Sequence, residues 1–436
     1  MATSMRFRKK RAFLLNAILF FILIAALVFY WLFEPILESS RHMLAGILLS
    51  YLSIWSVLFL SSNANKREMI QRFLLTSASI IVMVCFFELL TLAGIVDYRL
   101  AFSTPIYEPW RHPDNLLDPR LLHIRKPNLR FRWSGIEYRY DRHGFRNESD
   151  LTTADVVVTG DSFIEGWSVS AADLMTAHLS KQLDFTVANL GQSWYGPQQE
   201  LEVLRRYGLQ LRPKFYVWAF FEGNDLYDVR RYSLATMNWE NFSKKLHAFR
   251  QRSFLKNALL AVRRFLNSVH HRNANDADRL KNQSGVFKKS SGRKIDIYFS
   301  YKGLYLSASD HKSLVQLRSS LLLAYEMCRV AKAKFLVVFI PTKFRVYNGL
   351  VEFDAHAQPR YWMLNDLPNR VESIVREDLP DGKFLDLTQA LSKEARNGSL
   401  VYFPHDDTHW SPEGHRVAAA AIADVLKRWE ENGISK

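Results

Sequence analysis

Cysteine is nearly absent: Cys85 and Cys328 are the only two in 436 residues. Two cysteines cannot build a disulfide framework, so a chain of this length must be held together by its core alone. Cys85 lies in an apolar run and Cys328 in a predicted helix, which argues against a bridge between them. The scarcity leaves an oxidising compartment open, because it means only that stability does not depend on one. Acidic residues are also in short supply. There are 43 Asp and Glu against 58 Lys and Arg, giving a formal net charge of +15 and a pI near 9.6. That balance points to an anionic surface or substrate, depending on where the charges sit. No metal site emerges from the His and carboxylate spacing, and no cofactor is expected.

Charge is missing from three stretches near the start. Residues 12–33 carry Asn16 as their only strongly polar member, 43–60 carry no charge, and 73–96 carry only Glu88. Each is about long enough to cross roughly 30 Å of hydrocarbon as a helix. The first is too long for a signal-peptide core and no small-residue cleavage site follows it, so it reads as retained. Arg6, Arg8, Lys9, Lys10 and Arg11 precede the first run, and Lys66, Arg67 and Arg72 separate the second from the third. Only Arg41 lies between the first two. The positive-inside rule then puts the N-terminus in the cytoplasm and everything after about Val96 outside it. The expected organisation is a three-span anchor over 1–97, in a multi-pass protein of a bacterial cytoplasmic membrane, and a periplasmic remainder. Nucleic acid is not an expected partner on that side. Glu88 invites two readings: a carboxylate that lines a path or binds a partner helix, or one that faces the other spans or the outer interface.

Residues 98–150, with Pro105, Pro109, Pro113, Pro119 and Pro127, read as an irregular connector with short strands. From 151 to 436, apolar strands alternate with helical stretches. Strands are expected at 155–159, 185–190, 215–221, 334–340 and 384–387. Helices are expected at 171–183, 197–209, 311–333, 366–378 and 412–431. Fully apolar strands separated by helices imply a parallel sheet covered on both faces. The fold class is therefore α/β, with a flavodoxin-like sheet. Such sheets bind ligands at the carboxyl ends of their strands.

Those ends carry the chemistry. The first strand runs into Gly160-Asp161-Ser162-Phe163, the second into Asn189-Leu190-Gly191-Gln192-Ser193-Trp194-Tyr195-Gly196, and the third into Glu222-Gly223-Asn224-Asp225. Before the last helix stands His405-Asp406-Asp407-Thr408-His409-Trp410. Acyl transfer by serine needs a nucleophile, a base, a carboxylate to orient the base, and donors for the oxyanion. Ser162 fits the nucleophile, His409 the base and Asp406 its orienter, with Asp407 as the alternative orienter. Asn224 and a backbone N–H of the 189–196 loop fit the oxyanion hole. A serine that merely caps a helix and an Asn-Asp that merely turns are the bland alternatives.

Together these blocks resemble the SGNH (GDSL-type) hydrolase superfamily, in order, over about 155–431 and with one long insertion. The ending Asp406-x-x-His409-Trp410 with Gly414 is also similar to the SGNH-like domains of exopolysaccharide O-acetyltransferases of the alginate acetylation type. The resemblance implies a serine esterase or O-acyltransferase acting through Ser162, His409 and Asp406. The chain departs from the family at one place: Trp194 stands where an oxyanion glycine is usual. Gly191 is named first as the backbone donor and Trp194 second. Trp167, Trp194 and Trp410 can stack on a sugar or simply pack.

The insertion, 230–294, holds sixteen Lys and Arg against Glu240, Asp276 and Asp278. Residues 254–269 within it read as a basic amphipathic helix, and 273–292 as a polar loop. The segment can lie on anionic headgroups, guide an anionic polysaccharide, or stay a solvated loop. Lys343 and Arg345 are candidates to line a groove for an acidic polymer. The overall expectation is acyl-ester chemistry on an envelope or exported polysaccharide, with a separate membrane protein as acyl donor if the acceptor is a sugar. An idle carbohydrate-binding module of a membrane assembly is the reading from another class, and a membrane-lipid lipase a third.

Overall fold

The computed structural model describes residues 51, 54–55, 66–102, 114–236, 249, 252–271, 282–301, 306–405 and 408–434. They fall into two compact units, within 1–107 plus 238–274 and within 108–237 plus 275–436.

In the first unit, helix α1 (Lys66–Leu92) is long and apolar enough to cross a membrane, with most of its side chains exposed. It coincides with the third expected span. The span expected at 12–33 lies outside the described residues, as does all of 43–60 except Tyr51, Ile54 and Trp55. The basic helix of the insertion forms as its periodicity predicts, at Phe254–His271. Its start is held by Glu88, whose carboxylate accepts from Ser253 Oγ and Leu255 N at 2.8 Å and from Phe254 N at 3.3 Å. A carboxylate at a helix N-terminus satisfies donors that have no partner within the helix. Glu88 therefore does bind a partner helix, one that the sequence delivers from about 165 positions further on. Phe254 stacks between Phe87 and Tyr98, at 4.6 and 5.1 Å between ring centroids.

The second unit begins with two antiparallel pairs, β1 (Asn115–Asp118) with β2 (Leu122–Arg125), and β3 (Arg130–Trp133) with β4 (Ile136–Arg139). Five parallel strands follow: β5 (Val156–Thr159), β6 (Val187–Asn189), β7 (Phe215–Phe221), β10 (Lys334–Ile340) and β12 (Lys383–Asp386). Their order across the sheet is β12-β10-β7-β5-β6, which is the flavodoxin-like arrangement. A small antiparallel sheet of β8 (Ser284–Lys288), β9 (Lys294–Tyr298) and β11 (Val351–Glu352) sits beside it. Residues read as a polar loop thus contain an ordered hairpin. Alternating Ser-Gly-Val-Phe and Lys-Ile-Asp-Ile patterns are short, and the glycine and lysines mask their period of two.

Every residue of β7 is buried. Alternation along the strands divides them between two cores. Val156, Val158, Val217 and Ala219 face one side with Leu179, Val417, Ile422 and Leu426. Val157, Tyr216, Trp218 and Phe220 face the other with Leu317, Leu321 and Val371. Helices cover both faces, which is why the strands read as continuous apolar runs. Leu190, at the end of β6, and Phe163, after β5, complete these cores at the carboxyl edge. That packing fixes the edge on which the site is built.

Candidate active site

At the end of β5 the chain turns through Gly160 and Asp161 into a one-turn helix, α2 (Ser162–Glu165). Asp161 fixes the turn: its Oδ1 accepts the Phe163 N–H at 2.9 Å. Ser162 opens the helix, and its Oγ lies 2.8 Å from His409 Nε2. The two residues are 247 positions apart. The loop that carries His409 is closed at its base by a bridge between Tyr402 and Trp410, with Phe403 N donating to His409 O at 3.1 Å. Trp410 is fully buried and packs edge-on to Phe163, so it is core rather than a sugar platform. Asp406 and Asp407 lie outside the described residues.

The third strand, β7, delivers Asn224 just before α5 (Asp225–Thr236). Asn224 Nδ2 donates to Asp228 Oδ2 at 2.9 Å. Strands β5 and β7 are neighbours at the point where the strand order reverses, the usual ligand crevice of such sheets. The second block forms the remaining wall. Gly191 N donates to Asn189 Oδ1 at 3.0 Å, Gln192 N to Gly160 O at 3.0 Å, Ser193 N to Glu165 Oε2 at 2.6 Å and Tyr195 N to Gln192 O at 3.1 Å. Trp194 N alone in this run has no partner among the described residues. Trp194 also sits at φ +70°, in the left-handed region that glycine adopts freely and other L-residues only at roughly 1–2 kcal/mol. The backbone has kept a glycine-like conformation while carrying an indole. Gly191 has a different reason to be glycine. A Cβ there would lie 2.5 Å from both Glu165 N and Ile164 Cβ, so the loop can rest on α2 only without a side chain.

A buried ion pair locks this wall to α2. Glu165, fully buried, receives Arg125 Nε at 3.0 Å, Tyr140 OH at 2.6 Å, and both the N–H and the hydroxyl of Ser193. Arg125 and these hydrogen bonds outweigh desolvation and hold the Glu165 carboxyl down at about 2. His123 Nε2 lies 3.1 Å from Ser193 O, and Tyr195 OH donates to His123 O at 2.6 Å. Burial pushes His123 down to about 4, so it is neutral at ordinary pH. The stretch read as a connector is thus the clamp on the second block. No sequence pattern marks Arg125 and Tyr140 as Glu165 partners, since the pairing closes across 40 and 25 positions.

Residues 324–435 match the family model for the SGNH hydrolase-like domain of the acetyltransferase AlgX. That span starts within α7 (Ala308–Val330) and includes His409 but neither Ser162 nor Asn224. The C-terminal part of the α/β unit is thus similar to an SGNH hydrolase-like domain. Similar solved structures include a lipolytic protein of the G-D-S-L family from Desulfitobacterium hafniense, 12% identical, covering 62% of this chain and 99% of that one, at a TM-score of 0.33. TesA is 12% identical, covering 63% and 98%, at 0.33. The psychrotrophic esterase EstA from Pseudoalteromonas is 9% identical, covering 64% and 99%, at 0.31. No curated protein matches the chain.

Behind the same edge of the sheet lie four buried acids, Asp161, Glu200, Asp225 and Asp228, with Arg231 against Asp228 at 3.3 Å. Desolvation pushes Asp161 up to about 6, even though the Phe163 N–H, His409 and Asn224 pull it down. Burial raises Asp228 to about 7, against the pull of Arg231. Burial and the neighbouring acids push Glu200 and Asp225 well above the ordinary carboxylate range. Both Glu200 oxygens lack a partner among the described residues.

Two expected groove residues are structural instead. Lys343 is 2% exposed and donates from Nζ to Phe403 O at 2.6 Å and to Tyr298 O at 3.1 Å. It steadies the loop that bears His409. Arg345 forms a buried pair with Glu222. A lysine and an arginine just past a strand end look solvent-facing in sequence, and only the fold reveals the carbonyls and carboxylate above them.

Proposed function

We propose that the chain is a membrane-anchored serine esterase or O-acyltransferase working on acyl esters of an envelope or exported polysaccharide, outside the cytoplasm of a bacterium. The observation that carries this reading is the 2.8 Å contact between Ser162 Oγ and His409 Nε2 at the carboxyl edge of the sheet. In the reaction, His409 Nε2 accepts the hydroxyl proton as Ser162 Oγ attacks the ester carbonyl carbon. Asp406 orients the imidazole. The oxyanion is met by the N–H groups of Ser162 and Trp194 and by the Asn224 amide, with Trp194 preferred to Gly191 because the Gly191 N–H is already committed to Asn189. Collapse breaks the C–O bond, and the alcohol leaves with the proton held by His409. The acyl-enzyme then passes its acyl group to water or to a sugar hydroxyl, whose proton goes to His409.

The SGNH hydrolase-like match to an acetyltransferase domain supports the polysaccharide side of this reading, and α1 supports the anchor. A separate membrane protein would supply the acyl group if a sugar is the acceptor. An idle carbohydrate-binding module drew its support from Trp194. The unengaged N–H and glycine-like φ at that residue favour catalysis instead.

The test uses the full chain in detergent with p-nitrophenyl acetate and an acetylated polysaccharide. Wild type should release product or carry an acetyl adduct by intact mass, and Ser162→Ala should lose at least about 10³-fold in turnover. Equal activity of the two proteins would remove Ser162 as nucleophile.

A further inference from the structure

A tryptophan held in a glycine conformation with its ring in solvent calls for an explanation. Trp194 is 44% exposed, although a large aromatic gains most by burial. Its ring is braced rather than loose. The Arg231 guanidinium lies 5.4 Å from the ring centroid, and the same group donates to the Trp194 carbonyl. Arg231 also pairs with Asp228 at 3.3 Å, and Asp228 accepts from Asn224. A continuous set of contacts therefore runs from the oxyanion asparagine to the indole. The exposed ring stands on the same loop that closes on α2 through Ser193 and Glu165. One turn before Arg231 on α5, Tyr227 is 56% exposed and packs its ring against Arg230 at 5.7 Å. Positions 227 and 231 lie one turn apart on α5, so a second exposed aromatic stands one turn from the arginine that braces the indole.

We propose that Trp194, with Tyr227 one helical turn from its Arg231 brace, is a stacking platform for a pyranose ring of the acylated polysaccharide, which it holds at the lip of the Ser162 site. The inference rests on the polysaccharide reading above and names the subsite that reading lacks. An indole at a glycine position leaves the oxyanion N–H in place and adds a flat apolar surface for the C–H face of a sugar. Backbone strain kept at a functional edge fits such a role. Arg231 is the positioning residue, because it fixes the carbonyl and the plane of the ring together.

Binding is measured without turnover, in the full chain carrying Ser162→Ala, using acetylated oligosaccharides of mannan, xylan and polymannuronate as probes. Trp194→Gly should weaken binding of at least one probe by roughly tenfold or more, and Trp194→Phe by less, since a smaller ring still stacks. The glycine variant suits the backbone, so its melting temperature should not fall, and a binding loss with an unchanged or raised Tm is the expected signature. Binding within twofold of the parent in Trp194→Gly would overturn the platform, as would a parent that binds none of the three probes. Either failure is separable from failure of the esterase reading, which is judged by the effect of Ser162→Ala on p-nitrophenyl acetate alone.

Discussion

Two sets of buried carboxylates flank the Ser162 turn, and they are solved in opposite ways. On the side of the second block, Glu165 has a cation, a phenol, a hydroxyl and a backbone N–H around it. On the other side, burial raises Asp161, Glu200, Asp225 and Asp228, neighbouring acids add to the rise in the last three, and Arg231 offsets part of it at Asp228. Burial alone costs a charge several kcal/mol, and only full pairing offsets it. The first set therefore gives rigidity and the second stores unfavourable energy beneath the Asn224 wall. The Ser162 turn thus has a paired carboxylate as a clamp on one side and tolerates a costly cluster on the other.

The largest effect should come from breaking the clamp. Arg125→Met keeps bulk but leaves Glu165 charged and buried without its cation. Loss of one partner of a buried pair costs about 3–5 kcal/mol. The melting temperature should drop by roughly 10 °C, and ester turnover should fall with it as the 191–196 loop loosens. Arg125→Lys, which retains the charge, should recover part of both. A Met variant as stable as wild type would mean that Glu165 finds enough in Tyr140 and Ser193.

Next in size is the pH dependence of stability, where the two sets pull in different windows. Glu165 has a folded pKa near 2, below its unfolded value, so its contribution is present above about pH 4.5 and lost as pH falls toward 2. Asp161 and Asp228 have folded values near 6 and 7, above their unfolded ones. Between about pH 4 and 7 the folded state holds protons that the unfolded state has released, so stability declines as pH rises through that window. At about 1.4 kcal/mol per pKa unit, the two shifts together bound the decline at roughly 7 kcal/mol. Thermal melts should show a maximum near pH 4.5–5 and a fall toward pH 7. A flat profile across that range would dissolve the distinction between the two sets.

Smaller and of opposite sign is Glu200→Gln. It removes a carboxyl whose proton affinity burial raises in the fold above its unfolded value, and with it the cost of ionising that group as pH rises. Stability at pH 8 should rise and the decline toward high pH should flatten. A loss of stability instead would show that the Glu200 carboxyl has a partner outside the described residues.

How much of this was legible in the sequence follows from the same contrast. Ser162, Asn224 and His409 could be named because each stands at the end of an apolar strand or before a helix, where local pattern fixes position. The parallel sheet was readable because strands buried on both faces leave unbroken runs such as Phe215–Phe221. The Glu165 clamp was not readable, because Arg125 and Tyr140 sit in short strands of mixed polarity whose partners are chosen by the fold. The hairpin of β8 and β9 was lost within a basic stretch for the same reason. Glu88 was recognised as unusual, but its partner helix lies in the insertion, and no local rule connects the two. Gly191 drew attention as a donor when its smallness was the point. Trp194, marked as a departure, turned out to keep the backbone geometry it had seemed to abandon.

The smallest expected effect isolates burial from pairing. Glu413 and Arg416, near the start of the last helix, α11 (Pro412–Ile434), form a bidentate pair with side chains 34% and 47% exposed. The hydrogen bond from Arg416 is the main reason the Glu413 carboxyl is lowered, so the geometry is as good as in many buried pairs. Water solvates both partners once the contact is broken, and exposed pairs contribute only about 0.2–1 kcal/mol. Arg416→Ala should shift the melting temperature by no more than about 2 °C, and less still in high salt. If it destabilised the chain as much as Arg125→Met, pairing itself would carry the stability, and the isolation of Glu165 from water would be incidental to the clamp.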